Sequence, residues 1–108
     1  MATSDTAHVA TQFFAAARAL ACHPGDLQER LADAYADHLL AITVHDLPPE
    51  LQSTFRELEN RLNRSDADSE DDPFQAAARD LSDAEARGLI ERILMLYGRL
   101  AAMAREGH

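Results

Sequence analysis

Leu51, Phe55, Leu58 and Leu62 recur at intervals of four, three and four residues, and the same rhythm governs four separate stretches of this chain. Apolar residues spaced this way line one face of a 3.6-residue helix, whereas a half-buried strand needs strict alternation. No stretch alternates. Val9, Ile42, Val44, Ile90 and Ile93 are the only β-branched aliphatics, while the helix formers Ala, Leu, Glu, Gln and Arg are plentiful. The expectation is an all-α fold: an antiparallel bundle of four main helices plus a short fifth. At 108 residues the chain makes a single domain. A chain of this size buries roughly 65% of its unfolded surface, enough for one core without disulfides or metal.

The periodicity and the breaker residues divide the chain. A first helix is expected over 5–22, with Val9, Phe13, Ala16 or Ala17, and Leu20 on its core face; His23-Pro24-Gly25 ends it. A second is expected over 26–42, with Asp26 and Glu29 in the first turn, where the helix dipole favours anions. Its apolar stripe is Leu27, Leu31, Ala34, Tyr35, His38, Leu39 and Ile42, which puts His38 among core residues. Pro48 and Pro49 open a third over 48–64. A short helix over 74–80 precedes the longest, 83–105, which Ser82 and Glu85 start as an S-x-x-E capping box. The stretches ERLADAY and DLPPELQ, with Phe55 shortly after, resemble a layout used by small bacterial helical proteins, and no activity attaches to that resemblance.

The long helix has a wide apolar arc. Ala86, Ile90, Ile93, Tyr97, Leu100 and Ala104 mark its centre, Leu89 and Leu96 one shoulder, Leu94 and Ala101 the other. Such a helix contacts neighbours on two sides. Either it is the central helix of a monomeric bundle, or one shoulder lies in a homodimer, with Leu89, Leu96 and Leu100 as candidate interface residues. Gly88 and Gly98 inside it are either tolerated glycines or points of close backbone approach by a neighbouring helix or a partner.

The formal charge is −9, and two short stretches account for it. Residues 24–46 carry Asp26, Glu29, Asp33, Asp37 and Asp46 against Arg30 alone, and residues 65–73 carry Asp66, Asp68, Glu70, Asp71 and Asp72 with no base. Asp26, Glu29, Asp33 and Asp37 fall opposite the apolar stripe of the second helix and are expected to face solvent. The segment 65–73 lacks the apolar residues that would offset the entropy of ordering it, and is expected to be a mobile loop. An acidic patch repels nucleic acid and membrane surfaces and attracts basic proteins.

Chemistry-bearing patterns are scarce. Cys22 has no second cysteine to pair with, which sets the expectation of a reducing, cytoplasmic home. The apolar stretch Ala15–Cys22 is interrupted by Arg18, and the segment before it carries Asp5 and no base, so no export signal is expected. Cys22 and His23 are adjacent and point about 100° apart on a helix, the wrong geometry for a nucleophile and its base. His8, His23, His38, His45 and His108 show no metal-ligand spacing, and glycines are too dispersed for a phosphate loop.

No cofactor is expected. The function expected is non-catalytic: a small interaction or regulatory protein docking a larger partner with a basic surface, through the acids of the second helix and of 65–73 or through the long helix. The alternatives are a nucleic-acid mimic that occludes the basic groove of a nuclease or related enzyme, and an enzyme or metal-binding helical bundle.

Overall fold

The computed structural model describes residues 2–62 and 77–106, and among them there are helices and no strand. Helix α1 spans Ala2–Cys22 and α2 Leu27–Ala34; a π-helical turn, Tyr35–Leu39, continues α2 directly. A 3₁₀ turn, Val44–Asp46, leads to α3, Pro49–Leu62, and the chain closes with α4, Asp83–Glu106. These pack as the expected antiparallel bundle of four main helices. Residues 77–79 are helical where the short fifth helix was expected. Residues 74–76 and the acidic stretch with Asp66, Asp68, Glu70, Asp71 and Asp72 lie outside the described residues.

Helix α4 touches α1, α2 and α3 and is the central helix of the bundle. It contributes Ala86, Leu89, Ile93, Leu96 and Leu100 to the core, each 2% exposed or less. Phe13 of α1, Leu31 of α2, Tyr35 and Leu39 of the π-turn, and Phe55, Leu58 and Leu62 of α3 complete the interior. Phe13 and Phe55 meet edge to face, ring centres 6.0 Å apart and planes at 65°, which joins α1 to α3. Each of these large side chains contributes about 1.5–3 kcal/mol by leaving water. No polar or charged residue is buried among the described residues.

Two expectations for α4 need correction. Leu89, Leu96 and Leu100 are not surface residues available to a partner; they are 2%, 0% and 0% exposed, inside the core. The buried face is centred about 40° from the expected middle of the arc, toward the Leu89–Leu96 shoulder. The opposite shoulder is left at the surface: no described element covers Leu94, which stays 46% exposed. Of the two readings of the glycines, close approach by a neighbouring helix is not seen among the described residues, because a Cβ built on Gly88 or Gly98 meets nothing within 4 Å.

The start of α4 is as its sequence signature indicates. Glu85 N–H donates to Ser82 Oγ at 3.1 Å and Ser82 N–H donates back to Glu85 Oε1 at 3.0 Å, the reciprocal capping box. Arg61 of α3 reaches the other oxygen, Nη2 to Oε2, at 2.6 Å. A second ion pair, Arg92 to Glu57 at 3.3 Å, also joins α4 to α3. Both are at the surface, and such pairs contribute about 0–1 kcal/mol each. Gln28 ties α2 to the same corner, its Nε2 donating to Leu81 O and Asp83 Oδ1, both at 3.0 Å.

Hydrogen bonds from the Ser82 backbone, then from Arg61 and the Ser82 side chain, hold the Glu85 carboxyl below the usual glutamate range. A carboxylate with a lowered folded-state pKa stabilises the fold above its unfolded value, and the contribution vanishes as pH falls through the folded one. Glu85→Gln should therefore melt below the wild type at neutral pH, with the gap closing on acidification beneath the usual glutamate range; parallel thermal melts across pH check this. Gly98→Ala should raise stability by up to about 1 kcal/mol, since the added methyl meets open space and alanine favours the helix. Denaturant titration of the variant reads that gain, and a loss would mean a neighbour does approach Gly98.

Candidate functional site

The acidic side of α2 begins at a tightly bonded turn. Asp26 is the N-cap, its Oδ1 accepting from Glu29 N–H at 2.8 Å. Immediately before it, Gly25 is bonded on both sides: its N–H donates to His23 Nδ1 at 2.9 Å, and Arg30 Nε donates to its carbonyl at 2.7 Å. Because His23 Nδ1 accepts, the neutral ring carries its proton on Nε2. That nitrogen lies 2.5 Å from Asp33 Oδ2. A Cβ at Gly25 would come within 2.9 Å of the His23 ring, which two hydrogen bonds hold in place, and 2.5 Å from Glu29 Oε2, so any larger residue would have to displace those side chains.

This geometry assigns His23 a structural task. Both ring nitrogens are engaged, so neither serves the neighbouring Cys22, which is exposed at the end of α1. Arg30, the only base of residues 24–46, hydrogen-bonds a backbone carbonyl.

The four carboxylates expected on one solvent-facing stripe have separate environments. Asp26, Glu29 and Asp37 are exposed, but Asp26 caps the helix. Asp33 is only half-exposed and is held against His23. Asp26 and Glu29 line a shallow cleft with Gln28 and Arg79. Asp37 lies elsewhere. The π-turn closes its hydrogen bonds from i to i+5, so its residues advance by less than 100° each, and Asp37 and His38, inside it, lag behind the positions a continuous α-helix would give them.

The same lag corrects the reading of His38. On an unbroken helix it would sit in the middle of the buried stripe. In the structure Leu39 takes that place at 0% exposed, and His38 moves to the half-buried margin. The π-turn thereby keeps an imidazole at the margin of an interior built almost wholly from apolar side chains.

Between the π-turn and α1 lies a recess of about 470 Å³. Buried Val9 and Ile42, with Ala36 and Ala41, form its apolar wall; His8, Gln12, Asp37, His38 and Asp46 supply its polar groups, and Leu40 stands 50% exposed at the edge. Asp46 belongs to a second capping box, its Oδ2 accepting from Thr43 N–H at 2.9 Å and from the Thr43 hydroxyl at 3.2 Å. Sequence periodicity alone did not expose this recess, because the π-turn that borders it departs from the 3.6-residue period. The signal available was the polar His38 in the centre of an otherwise apolar stripe.

Among the described residues no group of three or more His, Cys, Asp or Glu could hold a metal ion, and no helix is long and apolar enough to cross a membrane. Comparison with protein-family models, with curated proteins and with solved structures returns no match.

The His23–Asp33 contact is a latch on the α1–α2 turn, and its loss is measurable. Asp33→Ala should lower stability by about 0.5–1 kcal/mol, the range for a partly exposed hydrogen bond. Cys22→Ser should leave the melting temperature in place. Equal effects from the two variants would contradict the latch.

Proposed function

We propose that this chain is a small non-catalytic interaction or regulatory protein that docks the basic surface of a larger protein partner. The observation that carries the reading is the exposure of Glu29 and Asp37 on an ordered helical side, with no ion pair to either among the described residues. They belong to a chain whose excess charge is concentrated in residues 24–46 and 65–73. Carboxylates fixed on a packed helix require little further ordering when a cationic surface arrives, which favours fast, charge-steered association. Asp26 and Asp33, already engaged in a cap and a latch, are supporting residues in this reading.

Imitation of a nucleic-acid backbone has less support. A mimic needs a row of free, evenly spaced acids, and Asp26 and Asp33 are already engaged in a cap and a latch. Competition by duplex DNA for the partner is accordingly not expected.

Docking of this kind is sensitive to salt. Affinity for a partner captured from the native cell should fall steeply between about 50 mM and 500 mM NaCl, as the Debye length shrinks from over 10 Å to a few ångströms. Glu29→Lys should weaken binding and flatten that salt dependence. Affinity that held constant across the series, with no response to Glu29→Lys, would exclude a charge-based interface.

A further inference from the structure

The recess beside the π-turn has a composition that selects a ligand class. Its formal charges, Asp37 and Asp46, are both negative, and no lysine or arginine lines it. Asp46 Oδ2 is occupied by Thr43, which leaves Asp46 Oδ1 and the exposed Asp37 carboxylate to face a ligand. Behind them stand the side chains of Val9 and Ile42, with exposed Leu40 at the edge. An anion would be repelled by the carboxylates, and a strongly hydrated ion would gain nothing from the apolar wall. A bare metal ion also lacks ligands, since no group of three or more suitable side chains converges among the described residues. The volume, about 470 Å³, lies within the range of small-molecule sites. Single π-turns inside α-helices are rare and frequently accompany functional sites.

We propose that this recess binds an organic cation carried on a short apolar stem, a guanidinium or primary ammonium whose methylenes lie on Val9, Leu40 and Ile42 while its charge meets Asp37 and Asp46. The same chemistry arrives either as a free small molecule or as an arginine or lysine side chain of a partner. The inference rests on the docking reading above only for that second source.

The probe is n-butylguanidinium, titrated into the isotopically labelled full-length chain and followed by amide NMR, with n-pentanol as the neutral control. Saturable shifts at Ala36, Ala41 and Ile42 are expected with the cation and not with the alcohol. Asp37→Asn, an exposed position with no hydrogen bond among the described residues, should weaken the cation about fivefold, the equivalent of one surface ion pair. Equal binding of cation and alcohol, shifts confined to other parts of the chain, or unchanged affinity in Asp37→Asn would each overturn the proposal. A short helical peptide with a single arginine separates the sources: binding at least tenfold tighter than the free cation assigns the site to a partner's side chain, and equal binding assigns it to a free small molecule. Failure here leaves the Glu29-dependent docking intact, and failure of that docking leaves the free-cation titration unaffected, so the two can be told apart.

Discussion

Everything else in this molecule depends on one face of α4 being dry. Leu89, Ile93, Leu96 and Leu100 are covered by three other helices at once, and the Tyr35 side chain is the one hydroxyl-bearing group among the described residues of that interior. A chain of this size without a disulfide has little other source of stability, because its surface ion pairs contribute about 1 kcal/mol or less each. The dry core therefore constrains its neighbours. Any helix laid against it must present an unbroken apolar face, and any polar residue that falls on that face must be moved off it.

α2 shows how that constraint is met. Its sequence places His38 between Tyr35 and Leu39 on the inner face, where an imidazole would have to be desolvated among apolar side chains. A regular helix would bury the histidine or unseat the leucine. The π-turn at Tyr35–Leu39 resolves the conflict by inserting one residue, so that Tyr35 and Leu39 are both buried and His38 is displaced to the margin. The displaced phase also bears on the surface, because Ala36, Asp37 and His38 of the turn line the recess against α1. A requirement of the core thus shapes the surface chemistry several ångströms away.

How much could be read from the sequence follows from the same division. The helices and their caps were legible wherever local chemistry decides the outcome. Leu51, Phe55, Leu58 and Leu62 are all buried as their spacing indicates, and Ser82 and Glu85 form the reciprocal bonds that the S-x-x-E pattern implies. The phase of α4 was less legible. Both shoulders of its arc are apolar, and only the three-dimensional placement of α1, α2 and α3 selects the Leu89–Leu96 side and leaves Leu94 exposed. Gly98 illustrates the same limit: the letter alone does not say whether a neighbour approaches, and the space around it does.

The acids were legible as charges and not as roles. Formal charge assigns Asp26, Glu29, Asp33 and Asp37 the same value, yet one caps a helix, one latches a histidine, and the carboxylates of the other two have no ion pair among the described residues. What separates them is the turn at His23–Asp26, where Gly25 brings a ring nitrogen, a backbone amide and a carboxylate into one bonded set. An acidic stripe therefore overstates the charge left unengaged at the surface, since an acid already bonded inside the fold must lose that bond before it can make another. The same discount applies to the bases. Arg30 neutralises the formal count of its stretch while its guanidinium is anchored to the Gly25 carbonyl, so the side of α2 that meets solvent is governed by Glu29 and Asp37 and by the re-phased turn between them.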